Sequence, residues 1–335
     1  MNSCYLNSKA TGLDNISVKF LKLSIHVIGD ILTHIMNCSI KSGVFIDEWK
    51  DARVTPLYKS GEIFLVNNYR PVSVLPILSK IIERHIHNHF YEYLMHNNLI
   101  TENQSGFRPK HSCETALHSI IEKWLHNIDN GKLTGVLFVD LSKAFDTVNH
   151  HVLLHKLLSF GICENSYNWF KSYLTNRSQC VRWNGSQSEK LDVTIGVPQG
   201  SILGPLFFML YVNDYPNCLQ HSAAHMYADD TSIYVIENKL LRDLKNTLEW
   251  MDKNKLTINL KKTQCMLIGT EQRLRKSRKL SLQVGDVFIE NVSCAKLLGV
   301  YIDRCLTWSE HVEILSKKTC KQIRCVIKIA FYHVN

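Results

Sequence analysis

The chain has 335 residues, 45% of them hydrophobic and only 7 of them proline. That excludes a disordered or collagen-like chain and leaves enough apolar side chain for a sizeable core, as two domains or as one large domain with subdomains. Lys and Arg outnumber Asp and Glu by 39 to 30, a formal charge of +9, which suits a polyanionic partner, nucleic acid or an anionic membrane, without choosing between them. The 11 cysteines are odd in number and never spaced Cys-x-x-Cys, and the closest pair, Cys320 and Cys325, lacks the companions of a zinc site. Reduced thiols of an intracellular protein are expected, nuclear or cytoplasmic. Met1–Ala10 has no basic segment followed by an apolar stretch, so no secretory signal is expected. The most apolar run, Ile202–Val212, contains Gly204 and Pro205 and is too short to span a bilayer, so no membrane partner is expected.

Along the chain there is no internal repeat and no low-complexity tract. Residues 14–42 carry helical apolar spacing at Ile16, Phe20, Leu23, Ile28, Ile31, Leu32, Ile35 and Met36, and Gly43 ends the helix. Asp51 to Tyr58 reads as a strand closed by Ser60-Gly61, and a second extended piece runs from Tyr69 through Val72 and Val74 to Pro76. Ser79 is placed as the N-cap of a helix through Leu94. Glu114–Asn127 reads as helix, Gly135–Asp140 as a short apolar strand ending in a carboxylate, and His150–Phe160 as a helix capped by Gly161. Gly196–Ser201 is a loop before the apolar helix Ile202–Val212. A hairpin pattern follows: His225-Met226-Tyr227-Ala228, then Asp229-Asp230, then Ser232 to Ile236. Leu240–Lys253 reads as helix and Leu298 to Ile302 as a late strand. The alternation predicts a sheet backed by helices, with helical subdomains beside it.

The carboxylates carry the chemistry. Asp140 ends a strand of Val136, Leu137, Phe138 and Val139, and Asp229-Asp230 interrupts a second apolar strand pair. Carboxylates among core residues are costly unless they reach solvent or bind a cation. If the strands are neighbours, the acids converge at one sheet edge. Hard oxygen ligands suit Mg²⁺, and two such ions about 4 Å apart stabilise both oxygens of an in-line phosphoryl displacement. Alone, Asp-Asp is ordinary turn chemistry. Its weight comes from the segments that accompany it.

Those segments are Tyr69-Arg70-Pro71, Gln104-Ser105-Gly106-Phe107-Arg108, Phe138-Val139-Asp140-Leu141-Ser142-Lys143-Ala144-Phe145-Asp146-Thr147, Gly196-Val197-Pro198-Gln199-Gly200-Ser201-Ile202-Leu203-Gly204-Pro205, Tyr227-Ala228-Asp229-Asp230, Asn259 with Lys262-Thr263, and Leu298-Gly299-Val300. In this order they resemble the reverse transcriptases of non-LTR retrotransposons, especially the jockey-like and related LINE groups. The resemblance runs from Thr11-Gly12-Leu13-Asp14 to Trp308. It implies an α+β right-hand polymerase with fingers, a ferredoxin-like palm (an antiparallel sheet backed by helices) and a truncated thumb. The implied division is 1–49 as a helical extension, 50–303 as fingers and palm, and 304–335 as a partial thumb.

By the same resemblance, Asp140 and Asp229 match the metal-binding aspartates, Asp230 the second acid of the pair, and the backbone carbonyl of Leu141 a main-chain metal ligand. Two Mg²⁺ ions, with Mn²⁺ as a substitute, are the implied cofactors. Phe145 matches the steric gate under the incoming sugar, which favours deoxynucleotides; read alone it is an ordinary core aromatic. Gln199, Gly200 and Ser201 resemble the loop against template and nucleotide, where a glycine allows close backbone approach. Lys59 and Arg70 resemble finger residues that grip the triphosphate, Arg108 a template contact, Lys262 the lysine that protonates pyrophosphate, and Leu298 with Gly299 the primer grip. The implied partners are an RNA template, a DNA primer and dNTPs. His85 and His89 have the i, i+4 spacing of a helical metal pair but no third ligand, so they are placed on a polar helix face, as are His151 and His155. The cluster Arg273 to Lys279 reads as a solvated loop that touches nucleic-acid backbone at most.

The implied activity is RNA-templated DNA synthesis, with an RNA-templated RNA polymerase as a rival that Phe145 and Ala228 speak against. The rival from another class is a catalytically inactive nucleic-acid-binding remnant of a decayed element. No amino-terminal endonuclease and no Cys/His knuckle are expected, and the thumb is expected to be cut short at Asn335. Its oligomeric state is open.

Overall fold

Residues 10–236, 240–278 and 280–332 are described by the computed structural model, with side chains described as far as Ile323. The expectation about a leader in Met1–Ala10 lies outside them except at Ala10, as do Lys279 and the last three residues of the expected thumb.

Helix ends follow local capping chemistry. Helix α1 (Val18–Ser42) opens on Ser17, whose Oγ accepts the Phe20 N–H at 3.1 Å, and closes on Gly43 at φ 68, a left-handed C-cap. Strands β1 (Ala52–Tyr58) and β2 (Tyr69–Val74) lead to α2 (Ile77–His96), then α3 (Cys113–Asp129), whose Ser112 and Thr115 form a reciprocal capping box. Next come β3 (Thr134–Val139), α4 (His150–Ser159), α5 (Glu164–Leu174), β4 (Arg177–Trp183), β5 (Ser186–Gln187), β6 (Leu191–Val193) and α6 (Leu203–Tyr211). The remainder is β7 (Ala223–Tyr227), β8 (Asp230–Ile236), α7 (Leu240–Lys253), β9 (Gln264–Ile268), α8 (Glu271–Lys276), β10 (Leu282–Val284), β11 (Val287–Asn291), β12 (Cys294–Leu297), β13 (Val300–Asp303) and α9 (Ser309–Tyr332).

Two expectations are corrected. Pro76, not Ser79, holds the N-cap position of α2, because its fixed φ of −50 suits a helix start. Ser79 is instead fully buried and its Oγ donates to Glu83 Oε1 at 2.7 Å. Leu298-Gly299 does not start a strand. Both have positive φ (48 and 90) and form the turn between β12 and β13.

The chain divides into two compact units. The first comprises Met1–Glu102, Lys143–Asp214 and Lys253–Leu256, and holds a sheet in the order β2-β1-β4-β5, with β6 also paired to β4. Its helices α2, α5 and α6 pack through Phe90, Phe170, Tyr173 and Phe207, ring centroids 5.1 to 5.8 Å apart. One helix of this unit, α1, is long and apolar enough by length and composition to cross a membrane. The expectation of no membrane partner rests on Ile202–Val212 alone and does not take this helix into account. Phe20, Leu23, Val27, Ile31 and Ile35 of α1 are exposed.

The second unit comprises Asn103–Ser142, Tyr215–Asp252 and Thr257–Asn335, with a sheet in the order β10-β11-β9-β3-β8-β7. The four strands β9-β3-β8-β7 are antiparallel, and β11 joins β9 in parallel. Central β3 buries Thr134, Gly135, Val136, Leu137 and Val139, which is why it reads as an unbroken apolar run. Its core is closed by Trp124 of α3, fully buried, set edge-on to Phe138 at 6.4 Å and Tyr234 at 6.2 Å. Asp303 orders the entry to α9. Burial raises its carboxyl pKa, but N–H groups of Thr307, Cys305 and Trp308 outweigh that and hold it low.

Trp124 touches two strands of the sheet that carries Asp140, so its loss should be expensive. Trp124→Ala should reduce unfolding free energy by about 3–5 kcal/mol, whereas Trp124→Phe, which keeps most of the ring, should cost well under half of that. Urea unfolding followed by far-UV circular dichroism measures both. Equal midpoints for the two variants would mean that Trp124 does not organise the sheet.

Candidate active site

The acidic centre lies in the second unit and is built by strand register. In the β3–β8 pair Val139 lies opposite Thr231, so the next residue, Asp140, falls level with Asp230. The hairpin β7–β8 closes with Tyr227 opposite Asp230, leaving Ala228 and Asp229 as a two-residue turn. Such a turn needs positive φ at its first position, and Ala228 has φ 57. Asp140 and Asp229 thus end at one edge of the sheet, as the sequence pattern requires.

Leu141 supplies the main-chain part. It bridges Ile258 in antiparallel fashion, with Ser142 N–H donating to the Thr257 carbonyl and Asn259 N–H to the Asp140 carbonyl, both at 2.8 Å. In this pattern the bonds flank the bridged residue. The N–H and C=O of Leu141 therefore point away from Ile258, towards the side on which β8 lies. Thr263, almost fully buried, accepts the Asp140 N–H on Oγ1 at 3.3 Å. Lys262, its neighbour, is exposed in the turn that its N–H closes onto Asn259 at 3.0 Å.

Among the described residues no group of three or more His, Cys, Asp or Glu side chains could hold a metal ion, so Asp140, Asp229 and Asp230 are not a preassembled cage. Two carboxylates and one free-facing carbonyl still fit Mg²⁺, which keeps several ligand positions for water and substrate phosphate. His85 and His89 lie with ring centroids 4.5 Å apart and have no third ligand.

The acidic turn is held by a residue whose role the motif does not reveal. Gln104 is fully buried, and its Oε1 accepts the N–H of Ala228 at 3.0 Å and of Gly106 at 2.7 Å, while Nε2 donates to the Ala228 carbonyl at 3.4 Å. Ser105 N–H donates to the Met226 carbonyl and Met226 N–H to the Asn103 carbonyl, at 2.8 and 2.7 Å. A methyl group at Gly106 would lie 2.1 Å from the Ala228 nitrogen, so only glycine permits this approach. The only sequence signal is a glutamine in an otherwise polar loop. Arg108 turns back on the same loop, Nη1 donating to the Gln104 carbonyl at 3.2 Å. Leu298 and Gly299 form the β12–β13 turn, with Leu298 packed partly against the core.

The remaining expected site residues belong to the first unit. Gln199 donates from Nε2 to Asp146 Oδ1 at 2.8 Å, and its carbonyl accepts the Ser73 N–H at 2.7 Å. Gly200 has φ 133, and a Cβ there would lie 2.3 Å from the Ser73 carbonyl oxygen. Ser201 is buried, its hydroxyl donating to the Pro198 carbonyl and accepting from Gly204 N–H, both at 2.9 Å. Glu83, fully buried, accepts the N–H groups of Ile202 and Leu203 at 2.8 and 3.2 Å and so caps α6. His150 Nε2 meets the Gly196 carbonyl at 2.7 Å, and burial, more than the nearby Arg177, lowers its pKa. Phe145 is half-buried and stacks on Phe208 of α6, centroids 4.8 Å apart. In the β1–β2 ribbon Leu57 pairs with Arg70, so Lys59, two residues on, shares the face of Arg70. Both cations are exposed and enter no ion pair among the described residues.

Residues 57–315 match the family described as reverse transcriptase (RNA-dependent DNA polymerase). The chain belongs to the reverse transcriptase family. It is 29% identical to a probable RNA-directed DNA polymerase from transposon X-element of Drosophila melanogaster, over 91% of this chain and 34% of that protein. It is 28% identical to the RNA-directed DNA polymerase from mobile element jockey of the same organism, again over 91% and 34%. The chain thus spans about a third of the length of these relatives. Among solved structures, telomerase from Candida tropicalis in complex with a fragment of telomeric RNA superposes with a TM-score of 0.53 at 12% identity, over 85% of this chain and 48% of that one. The right-hand polymerase fold of the reverse transcriptase family follows.

Gln104→Ala would strand two backbone N–H groups, at about 1–3 kcal/mol each where buried. An unfolding free energy lower by about 2–4 kcal/mol is expected, with Gln104→Glu, which keeps the acceptor but loses the donor to the Ala228 carbonyl and buries a charge, recovering little of it. Urea midpoints test this, and an unchanged midpoint for Gln104→Ala would remove the clamp from the account.

Proposed function

We propose that the chain copies an RNA template into DNA from a primer 3′-hydroxyl, as part of a non-LTR retrotransposon polymerase. The observation that carries this reading is the register that sets Asp140 and Asp229 at one sheet edge, with the Leu141 main chain facing the same side. When bound, two Mg²⁺ ions would supply a sharpened primer hydroxyl and neutralise charge on the leaving pyrophosphate.

The chain's own residues do the rest. Asp140, Asp229 and the Leu141 carbonyl hold the cations, with Asp230 as an outer acid. Lys59 and Arg70, in no ion pair among the described residues, grip the triphosphate. Gln199, Gly200 and Ser201 form the loop against template and nucleotide, kept in shape by Glu83. Phe145, braced by Phe208, closes the space beneath the sugar. Lys262 gives its proton to pyrophosphate, Arg108 braces the template loop, and Leu298 with Gly299 bears on the primer. In this reading residues 50–303 are fingers and palm, 304–335 the start of a thumb, and the protein is intracellular, in nucleus or cytoplasm.

Two outcomes follow. Asp140→Asn or Asp229→Asn should lower primer extension by several orders of magnitude while the fold persists, because a lost ligand removes several kcal/mol of transition-state stabilisation. Extension within tenfold of wild type would refute the metal assignment. A wild type that binds template and primer but extends neither would instead favour the inactive remnant.

Phe145→Val should admit ribonucleotides with a smaller loss for deoxynucleotides, since a packed site tolerates little extra volume and only the clash with the 2′-hydroxyl is relieved. The ratio of kcat/KM for the two sugars, on one template, is the measured quantity. A ratio unmoved by the mutation would make Phe145 a core aromatic that serves only Phe208.

A further inference from the structure

At the end of β3 remote from Asp140 lies a cavity. Its volume is about 280 Å³, with Leu133, Ile236 and Leu267 among its lining and Lys132, Arg273 and Arg278 around it. Thr134 pairs with Ile236 and Ile268, whereas Asp140 follows the opposite end of the same strand. Six residue steps separate the two, about 20 Å at 3.3 Å per residue. The cavity is therefore no part of the acidic centre.

The backbone of the rim is fixed and its three cations are exposed. Gly131, at φ 64, and Lys132 close α3 by donating to the carbonyls of Ile128 and Asn127, both at 2.8 Å, which fixes the backbone of this rim. Arg273 lies against that turn, its Nη2 2.8 Å from where a Cβ on Gly131 would stand. The neighbouring Arg275 and Arg304 are occupied by Glu271 at 3.3 and 3.6 Å. Among the described residues Lys132, Arg273 and Arg278 enter no ion pair and no carboxylate lines the cavity.

We infer that this cavity binds one unpaired nucleotide of a single-stranded nucleic acid, its phosphate on Arg273, Arg278 and Lys132 and its base on the apolar floor. An arginine fork matches phosphate geometry, and guanidinium planes and apolar surfaces take unstacked bases. A duplex presents phosphates but buries its base faces, so it satisfies only half of the cavity. The inference rests on the reading of this chain as a nucleic-acid enzyme and assigns a binding site outside its catalytic centre.

The test uses the full chain and a short fluorescein-labelled oligouridylate, with anisotropy titrations from low to moderate salt. Arg273→Gln with Arg278→Gln is compared with Lys19→Gln with Lys22→Gln, an equal charge change on α1. Two lost phosphate contacts should lower the slope of log K against log salt by about 1.4, at about 0.7 per contact for single strands. The α1 variant should lose less than half of that. Primer extension at saturating template should be unchanged in both. In wild type, photocrosslinks from 4-thiouridine should map to the strands carrying Leu133, Ile236 or Leu267. A cavity variant that follows the α1 variant would overturn the site while leaving the polymerase reading intact. Equal loss of duplex binding would overturn the single-strand assignment. Loss confined to phosphatidylserine vesicles would reassign the cations to a lipid surface and overturn it likewise. A wild type that binds the oligonucleotide with no salt dependence would sink the nucleic-acid reading itself.

Discussion

Ala228 sits at φ 57, in the left-handed region that costs an L residue about 1–2 kcal/mol, and the acidic hairpin exists only where something holds it there. Gln104 is that something. Its buried amide satisfies both the N–H and the C=O of Ala228, and each such bond contributes about 1 kcal/mol net. The gain matches the conformational cost in size, so the turn is set before any ligand arrives. A glycine in place of Ala228 would relieve the strain and also loosen the turn. The position of Asp229 is thus fixed by a residue more than a hundred positions earlier.

The other half of the centre depends on strand pairing. Because β3 is hydrogen-bonded on both sides, to β8 and to β9, its register is held from two directions, and Asp140 is carried to the strand end with it. The Ile258 bridge and the Thr263 hydroxyl then engage the backbone on either side of that carboxylate, leaving the Leu141 main chain facing β8. Neither Asp140 nor Asp229 takes part in an ion pair among the described residues. Two like charges at one sheet edge are unfavourable, and a divalent cation is the simplest relief.

Much of this was legible in the sequence because it is local. An apolar run ending in a carboxylate is a buried strand that reaches solvent, and Tyr227-Ala228-Asp229-Asp230 between alternating residues is a hairpin. Where pattern and partner diverge, the reading fails. Ser79 looked like a cap because serine at a helix start commonly is one, but Pro76 fits that place and a buried Glu83 claims the hydroxyl. Strands β4 to β6 went unread since their exposed residues carry no apolar alternation. Helix α1 showed its apolar spacing clearly, yet spacing cannot tell a face turned inward from one that leaves Phe20, Leu23 and Val27 exposed. Gln104 and Glu83 are undetectable by periodicity, their partners lying 124 and 119 residues away.

Those two side chains show how each unit fixes a functional loop with a single buried polar group, and why the two groups differ. Glu83 faces the first N–H groups of α6, where donors alone point inward and the helix dipole favours a negative charge. A carboxylate suits that end, and a third donor, Ser79, fills its second oxygen. Gln104 faces a turn that presents both a donor and an acceptor from Ala228, and no helix dipole. Only a group with both functions can satisfy it. A buried carboxylate there would leave the Ala228 carbonyl without its donor and add a further negative charge behind Asp140, Asp229 and Asp230. A neutral amide avoids this, so the acidic edge carries its carboxylates without a further anion beneath them.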